Sequence, residues 1–369
     1  MTLKVLENFA GIGTQRMALE NLGIEHEVVG ITEIDKFAIK SYEAIHGSVN
    51  NLGDISLLDP NDVPDHDLFT YSFPCQDISV NGKGLGFEKG SGTRSGLLWE
   101  CEKIIQAKKP KYLLMENVKN LVSKKFIQGF EEWLQVLENM GYTNYWQILN
   151  AKDYGIPQNR NRVFCVSILG EHDTYHYPDK KPLDFKLKDV LEDEVDERFY
   201  LNEEKTKQLI TTVTENYTEN TVVKMNRNEI KKENEFANTL LARDGNGFGN
   251  QDMNGVIEPT LLIKNNTKKG YIEATNGDGI DLEFPNSTTR RGRVQKDLSQ
   301  TLNTSDNKGV VQNLRIRKLT PKEHWRLMGI SDEYFEKAKE VTSVTQLYKQ
   351  AGNAIVVNVL EAIFKELFK

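Results

Sequence analysis

Four side chains in this 369-residue sequence have the types and settings to do chemistry. Cys75 lies in Ser72-Phe73-Pro74-Cys75-Gln76, directly after an apolar run. A free cysteine is most often an inert core residue. Here Asn81-Gly82-Lys83-Gly84-Leu85-Gly86 and Gly90-Ser91-Gly92 follow it, a glycine density that suits a closing loop better than a core. No histidine stands near it in sequence, so a Cys–His hydrolase pair is not suggested. Glu116 opens Glu116-Asn117-Val118 at the end of another apolar run. Burial raises a carboxyl toward neutrality, where it can hydrogen-bond or protonate a substrate ring. Arg160 and Arg162, two apart in Gln158-Asn159-Arg160-Asn161-Arg162, share a face if the chain is extended. Such a fork suits phosphate or a carbonyl oxygen. Taken singly, each is explained as well by packing or a surface ion pair.

A second group suggests a bound small molecule. Phe9-Ala10-Gly11-Ile12-Gly13 falls where a first strand turns into a first helix. Glycines there let backbone N–H groups approach a ligand. The third glycine of the dinucleotide pattern is absent, because Arg16 stands in its place. Glu33 ends the second strand, where a carboxylate can take two ribose hydroxyls. Asp54, in Gly53-Asp54-Ile55, follows a third turn and can accept from an exocyclic amine. Together they imply a nucleoside-bearing cofactor without requiring a pyrophosphate.

These residues need a frame that gathers them. The first half of the chain predicts strands over 3–9, 27–32, 68–72, 112–115, 145–149 and 162–168, and helices over 14–22, 35–46, 96–107 and 126–140. Strands alternating with helices at this spacing predict an open, mostly parallel α/β sheet with its ligand at the carboxyl ends of the strands. After about residue 170 the sequence becomes rich in Asn, Thr and Gly. That texture predicts a smaller, loop-rich β domain. Two stretches, 236–257 and 298–311, echo each other and read as similar hairpins. Residues 321–328 and 353–368 read as helices, the second apolar enough to pack back on the first domain. No apolar run approaches a membrane span, the first ten residues lack a charged leader, and the three cysteines form neither a disulfide framework nor a Cys-x-x-Cys site.

The net charge of −7 looks wrong for a nucleic-acid binder until it is divided. Residues 1–170 carry 17 basic against 21 acidic groups, residues 171–314 carry 20 against 26, and residues 315–369 carry 10 against 7. Two basic clusters stand out: Arg290, Arg291, Arg293 and Lys296, then Arg315, Arg317, Lys318, Lys322 and Arg326. On charge alone, each reads as a solvated face.

The ordered set FAGIG, Glu33, GDI, PCQ, ENV, QNRNR and the late QAGNAIVVNV resembles the cytosine-C5 DNA methyltransferase family, in its bacterial or phage form, over nearly the whole chain. The unmatched segment, about 170 to 310, corresponds to that family's variable target-recognition domain. The resemblance implies a Rossmann-like S-adenosylmethionine-dependent methyltransferase domain with a smaller, loop-rich β recognition domain. It divides the chain into residues 1–187 (catalytic and cofactor-binding), 188–310 (target recognition), 311–344 (an organising hinge) and 345–369 (a helix completing the catalytic domain).

The resemblance also implies roles. Cys75, as thiolate, adds to C6 of a flipped cytosine and makes C5 nucleophilic toward the methyl of S-adenosylmethionine. Glu116 holds N3 and the 4-amino group, Arg162 binds the O2 carbonyl, and Arg160 supports the loop or a DNA phosphate. Phe9 stacks on adenine, and Gly11, Ile12 and Gly13 line the methionine end. Glu33 takes the ribose, and Asp54 and Ile55 hold the adenine edge, with Pro74, Asn353 and Ile355 closing the pocket. The position after the ribose acid, often a large aromatic in relatives, is Ile34 here. The loop 76–95 is the expected closure over DNA, with Gln76, Ser79 and Lys83 as contacts. Arg243, Asn246, Arg290 and Arg293 are candidate base readers by chemistry alone.

The implied partner is double-stranded DNA. The expected state is a monomer without a metal, in a bacterial cytoplasm near the nucleoid. It would serve as an orphan or phage enzyme, or beside a restriction endonuclease without a stable complex. Two alternatives come from other classes. A tRNA cytosine-5 methyltransferase would share the catalytic set, but the Cys-Phe-Thr tripeptide of that branch is absent. A non-catalytic DNA-binding regulator would be expected to have lost one of Cys75, Glu116, Arg160 or Arg162.

Overall fold

The computed structural model describes residues 2–74, 78, 95–202, 261–287, 289–305, 307–312 and 315–369, and the backbone alone of four short strands between 210 and 256. The chain separates into two compact units. The first comprises residues 1–192, 300–306 and 320–369, and the second comprises 193–299 and 307–319.

The first unit is built on strands β1 (Leu3–Asn8), β2 (His26–Thr32), β3 (Leu68–Tyr71), β4 (Tyr112–Val118), β5 (Tyr142–Asn150), β6 (Gln158–Asn159) and β7 (Asn161–Leu169). Six of them form one sheet in the order β2-β1-β3-β4-β7-β5. All four residues of β3, Leu-Phe-Thr-Tyr, are buried, as a strand covered on both faces requires. Helices α1 (Thr14–Asn21), α2 (Lys36–His46), α3 (Leu98–Lys108) and α4 (Ile127–Asn139) connect the strands. Helices α3 and α4 deliver Ile104, Ile105, Phe130, Trp133 and Leu137 onto Phe69, Tyr71, Leu113, Met115 and Cys165 of the sheet. Cys101 and Cys165 are buried in this core, as packing residues should be, and burial pushes the Cys165 thiol up to about 12.

The sheet is less parallel than the alternation of elements predicts. Strands β1 to β4 run parallel, but β4 pairs antiparallel with β7, and β7 antiparallel with β5. No helix separates β5 from β7. A 3₁₀ turn at Ala151–Tyr154 and the short β6 join them, too little chain for a crossover.

Four further helices close the first unit: α5 (Pro321–Arg326), α6 (Asp332–Val341), α7 (Val344–Asn353) and α8 (Val357–Leu367). Helix α5 starts in a capping box, with Glu323 N–H donating to the Thr320 hydroxyl and Thr320 N–H to the Glu323 carboxylate. The single helix expected over 353–368 is two elements. Asn353 ends α7, and Ala354 and Val356 are extended before α8 begins at Val357.

In the second unit, Leu261–Lys264 pairs with Tyr271–Ala274 and Ile210–Val213, and Val222–Met225 with Ile230–Lys232 and Met253–Val256. A four-stranded sheet runs Val294–Gln295, Gly279–Asp281, Lys308–Gln312, Arg315–Lys318. Leu261, Ile263, Ala274, Ile280, Val294, Val311 and Ile316 form its core. The second of the two echoing stretches is not a hairpin. Its strand Lys308–Gln312 pairs with Gly279–Asp281 and Arg315–Lys318 instead of with Ser299–Gln300. The expected hinge over 311–344 is also divided, since Arg315–Lys318 is a strand of the second unit while α5 and α6 belong to the first.

Most of the basic side chains in the two clusters are bound within the fold, although Arg291 is exposed. Arg293, expected as a base reader, is fully buried and donates to the carbonyls of Lys264, Asp281, Glu283 and Phe284. Arg290 is bound to the Asp281 and Glu283 carboxylates. Arg315 pairs with Glu197, buried Arg317 donates to Gln312 Oε1 at 2.6 Å, and Arg326 holds Asp332. Arg243 and Asn246 lie outside the described residues. Removing a buried donor strands its acceptors, so Arg293→Met should cost the second unit about 2–4 kcal/mol, read from urea unfolding. A loss below about 0.5 kcal/mol would contradict the structural role.

Candidate active site

A cavity of about 310 Å³ opens at the carboxyl ends of β1 to β4. That volume is within the range of small-molecule sites. Each of the four strands ends in residues that line it: Phe9–Ile12 after β1, Glu33–Asp35 after β2, Ser72–Pro74 after β3, and Glu116–Val118 on β4. The extended break between α7 and α8 supplies Asn353 and Ile355, and Asp54, Ile55, Arg160 and Arg162 complete the wall.

On the β1–β2 side the backbone is tightly turned. Phe9 holds a positive φ of 55°, unusual for a residue with a side chain. Gly13 at φ 76° starts α1, and a Cβ there would sit 2.6 Å from both His46 Nε2 and Tyr42 Cε2. The Glu33 carboxylate fastens this loop to the end of β2. Its Oε2 accepts from Gly11 N–H at 2.9 Å and its Oε1 from Ile34 and Asp35 N–H at 2.8 Å. Each oxygen has two lone pairs, so Oε2 keeps acceptor capacity for a ligand hydroxyl. Ile34 is 71% exposed although it is large and apolar, and it lines the cavity. Asp54 accepts from Ser56 N–H at 2.9 Å through Oδ1 and caps the turn that buries Ile55.

Among the described residues, three cations line the cavity, each with a partner. Arg162 pairs with Glu116, Lys349 with Asp35 at 2.6 Å, and Arg160 with backbone carbonyls. Partial burial pushes the Asp35 carboxyl up, but Lys349 and the Phe37 N–H outweigh it and hold it below its ordinary value. An aromatic ring, an apolar shelf and a strand-end carboxylate fit a nucleoside.

On the β4 side, Glu116 Oε1 lies 3.1 Å from Arg162 Nε. The antiparallel pairing makes this contact: Val118 at the end of β4 faces Arg162 at the start of β7, and Glu116 faces Phe164. Burial raises the Glu116 carboxyl above its ordinary value, although Arg162 and Arg160 pull it down. Asn117, to which the sequence assigned no role, donates to the Phe73 carbonyl at 3.0 Å and ties β4 to the segment entering Pro74. Its place in the ENV triplet was the available signal. Lys349 was likewise unassigned, and only the fold brings it to the cavity.

Arg160 and Arg162 do not form a fork. Arg160 is 3% exposed and donates to the carbonyls of Leu302 (3.0 Å), Gly352 (3.1 Å) and Ala354 (2.9 Å). The last two are carbonyls released where α7 ends. Of the two roles expected for Arg160, support of the site's backbone fits this geometry and a phosphate contact does not. Gly352 is needed there, because a Cβ would come within 2.3 Å of the Asn303 carbonyl oxygen. Cys75, Gln76, Ser79 and Lys83 lie outside the described residues, although Pro74, next to Cys75 in the chain, lines the cavity.

The family model for the C-5 cytosine-specific DNA methylase matches residues 3–369. The chain belongs to this family. It is a DNA (cytosine-5-)-methyltransferase, and its first unit has the fold of the S-adenosylmethionine-dependent methyltransferases. It is 38% identical to the type II methyltransferase M2.ScrFI of Lactococcus lactis subsp. cremoris, over 100% of this chain and 99% of that one. It is 33% identical to the orphan methyltransferase M.SPRI of Bacillus phage SPR, over 99% and 97%. Among solved structures, Dnmt2 of S. pombe superposes with a TM-score of 0.61 at 21% identity, covering 100% of this chain and 98% of that one. Among the described residues there is no helix long and apolar enough to cross a membrane and no cluster of His, Cys, Asp and Glu able to hold a metal.

Two outcomes follow for this methylase. The native state holds the Glu116 proton more tightly than the unfolded chain does. This group's contribution to stability therefore falls as pH rises from its ordinary 4.5 through the raised value. Glu116→Gln should remove that slope, so its melting temperature relative to wild type climbs between pH 4.5 and 7; a constant difference would refute the shift. Gly13→Ala meets both a positive φ and two rings, and should cost about 1–3 kcal/mol in thermal unfolding. A neutral result would mean that the α1–α2 contact is looser than drawn.

Proposed function

We propose that this enzyme methylates C5 of a cytosine turned out of duplex DNA, through a covalent bond between Cys75 and C6, at a short sequence read by the second unit. The observation that carries the reading is the buried Glu116 carboxyl. It is raised above its ordinary value, 3.1 Å from Arg162, in the same cavity as the Phe9–Glu33 nucleoside cradle. S-adenosylmethionine, when bound, supplies the methyl group. The chain's residues prepare the base to accept it.

An aromatic pyrimidine is a poor nucleophile at C5. Addition of the Cys75 thiolate to C6 breaks the C5–C6 double bond and moves its electron pair to C5. The negative charge that builds on the ring is met at N3 by the Glu116 carboxyl, whose affinity for a proton burial raises, and at O2 by the Arg162 guanidinium. After C5 takes the methyl group, loss of the C5 proton to a solvent base and expulsion of the thiolate restore the aromatic ring. The target carbon is inaccessible inside a stacked duplex, so the nucleotide must leave the stack before Cys75 can reach it.

The type II and orphan phage relatives support a place as a restriction–modification enzyme or as an orphan. Arg290 remains a candidate DNA contact only if DNA displaces its pairing with Asp281 and Glu283.

Base-resolution cytosine-methylation sequencing of a methylation-free host expressing the enzyme tests this directly. One short motif should be marked at C5, and Cys75→Ala should abolish the marks. Glu116→Gln should lower the methylation rate by about 10²-fold or more, since it removes the titratable carboxyl. Folded enzyme that leaves DNA unmarked, or marks that survive Cys75→Ala, would defeat the mechanism.

A further inference from the structure

The loop that cradles the nucleoside has a rear face, and that face rests on a buried polar network unrelated to the methyl-transfer chemistry. Glu7 of β1 is fully buried. Its Oε1 accepts from Arg16 N–H at 3.0 Å and its Oε2 from the Tyr42 hydroxyl at 2.7 Å. Arg16 N–H belongs to the first turn of α1, where helix donors lack intrahelical partners. Gly13, at the cap position, has no side chain to satisfy it, so Glu7 caps the helix from the sheet. Burial raises the Glu7 carboxyl, a sign that this arrangement costs stability and is held by the packing around it.

His46, at the last turn of α2, completes the network. Its Nε2 lies 3.2 Å from the carbonyl oxygen of Ile12, in the middle of the cradle loop. Its Nδ1 lies 3.5 Å from Glu20 Oε1 on α1, and its ring packs on Tyr42 with centroids 4.7 Å apart. Half-burial pushes Glu20 up, but His46, the Tyr334 hydroxyl and Arg16 outweigh it and hold the carboxyl at about 2. Tyr334 of α6 donates to Glu20 at 2.9 Å, and Arg16 at 2.9 Å. The absence of a side chain at Gly13 is what lets the imidazole reach the loop.

We propose that His46 is a positioning residue for the methyl donor. By donating from Nε2 to the Ile12 carbonyl, with its ring packed on Tyr42, it sets the backbone of residues 11–13 in the shape that receives the cofactor. The proposal rests on the reading that residues 9–13 and Glu33 hold S-adenosylmethionine. It assigns His46 no contact with cofactor or DNA.

The test is calorimetric binding of S-adenosyl-L-homocysteine to the full chain, beside KM and kcat for S-adenosylmethionine. Glutamine can place an amide N–H near the position of Nε2, while asparagine cannot reach Ile12. One lost hydrogen bond corresponds to about 3- to 10-fold in affinity. His46→Asn should raise both Kd and KM by that factor with kcat nearly unchanged, and His46→Gln should restore most of the loss. A merely structural role would lower the melting temperature of both variants and leave Kd unmoved, which overturns the proposal. If His46→Asn does not fold, His46→Gln is read by itself: binding close to that of wild type is expected, and a loss of the full factor overturns the proposal. Glu33→Ala is the control for the underlying reading. If it binds as tightly as wild type, the cofactor site is misplaced. If it binds weakly while His46→Asn binds normally, only the role of His46 fails.

Discussion

The antiparallel pairing of β7 with β4 is the constraint on which the active site depends. In a fully parallel sheet the residues that begin a strand lie at the edge opposite the ligand. Because β7 runs the other way, its first residue but one, Arg162, meets the last residue of β4, and its guanidinium reaches Glu116 at 3.1 Å. The QNRNR motif is thereby carried to the same edge as the Phe9 turn, Glu33 and the Pro74 segment. A one-strand change of direction brings Arg162 to the cavity edge that Glu116 and the Phe9 turn also line.

Two acids buried in the first unit show how the sheet is used. Glu7 and Glu116 both lie on strands, and burial raises both carboxyls. A charge in such a place is costly unless donors surround it. Glu7 has a backbone N–H and a phenol, and its task is to fix the start of α1. Glu116 has arginines that lower its value without cancelling the effect of burial, so its carboxyl stays above its ordinary value at the cavity wall. The same physical cost is met by an N–H and a phenol in one strand and by arginines at the cavity wall in another.

Arg160 explains why the C-terminal segments of the first unit contribute to its site. Its guanidinium gathers the segment at Leu302 and the end of α7 into one place. The break before α8 exposes carbonyls that a continuous helix would have used internally, and Arg160 takes two of them. Gln158 works beside it, donating to the Leu327 carbonyl at 2.7 Å and accepting from Leu302 N–H at 3.1 Å. Arg160 thus holds backbone carbonyls while Arg162, two residues on, meets the Glu116 carboxyl.

Much of this was legible in the sequence, because short-range chemistry dictates it. Glycines and an aromatic at a strand–helix turn, an acid at a strand end, and ENV after a buried strand announce a ligand edge whatever packs around them. The family and the cavity wall followed from their order. Other features depended on partners distant in the chain. The reversal of β7, the break at residues 354–356 and the burial of Arg293 are settled by segments far from each motif. A basic cluster does not disclose whether it faces solvent or satisfies carbonyls until Asp281, Glu283 and Lys264 are brought beside it. The sequence determined which groups the enzyme has, through local spacing and residue type. The tertiary structure decided which of them meet, because burial and hydrogen-bond partners are properties of the packed chain.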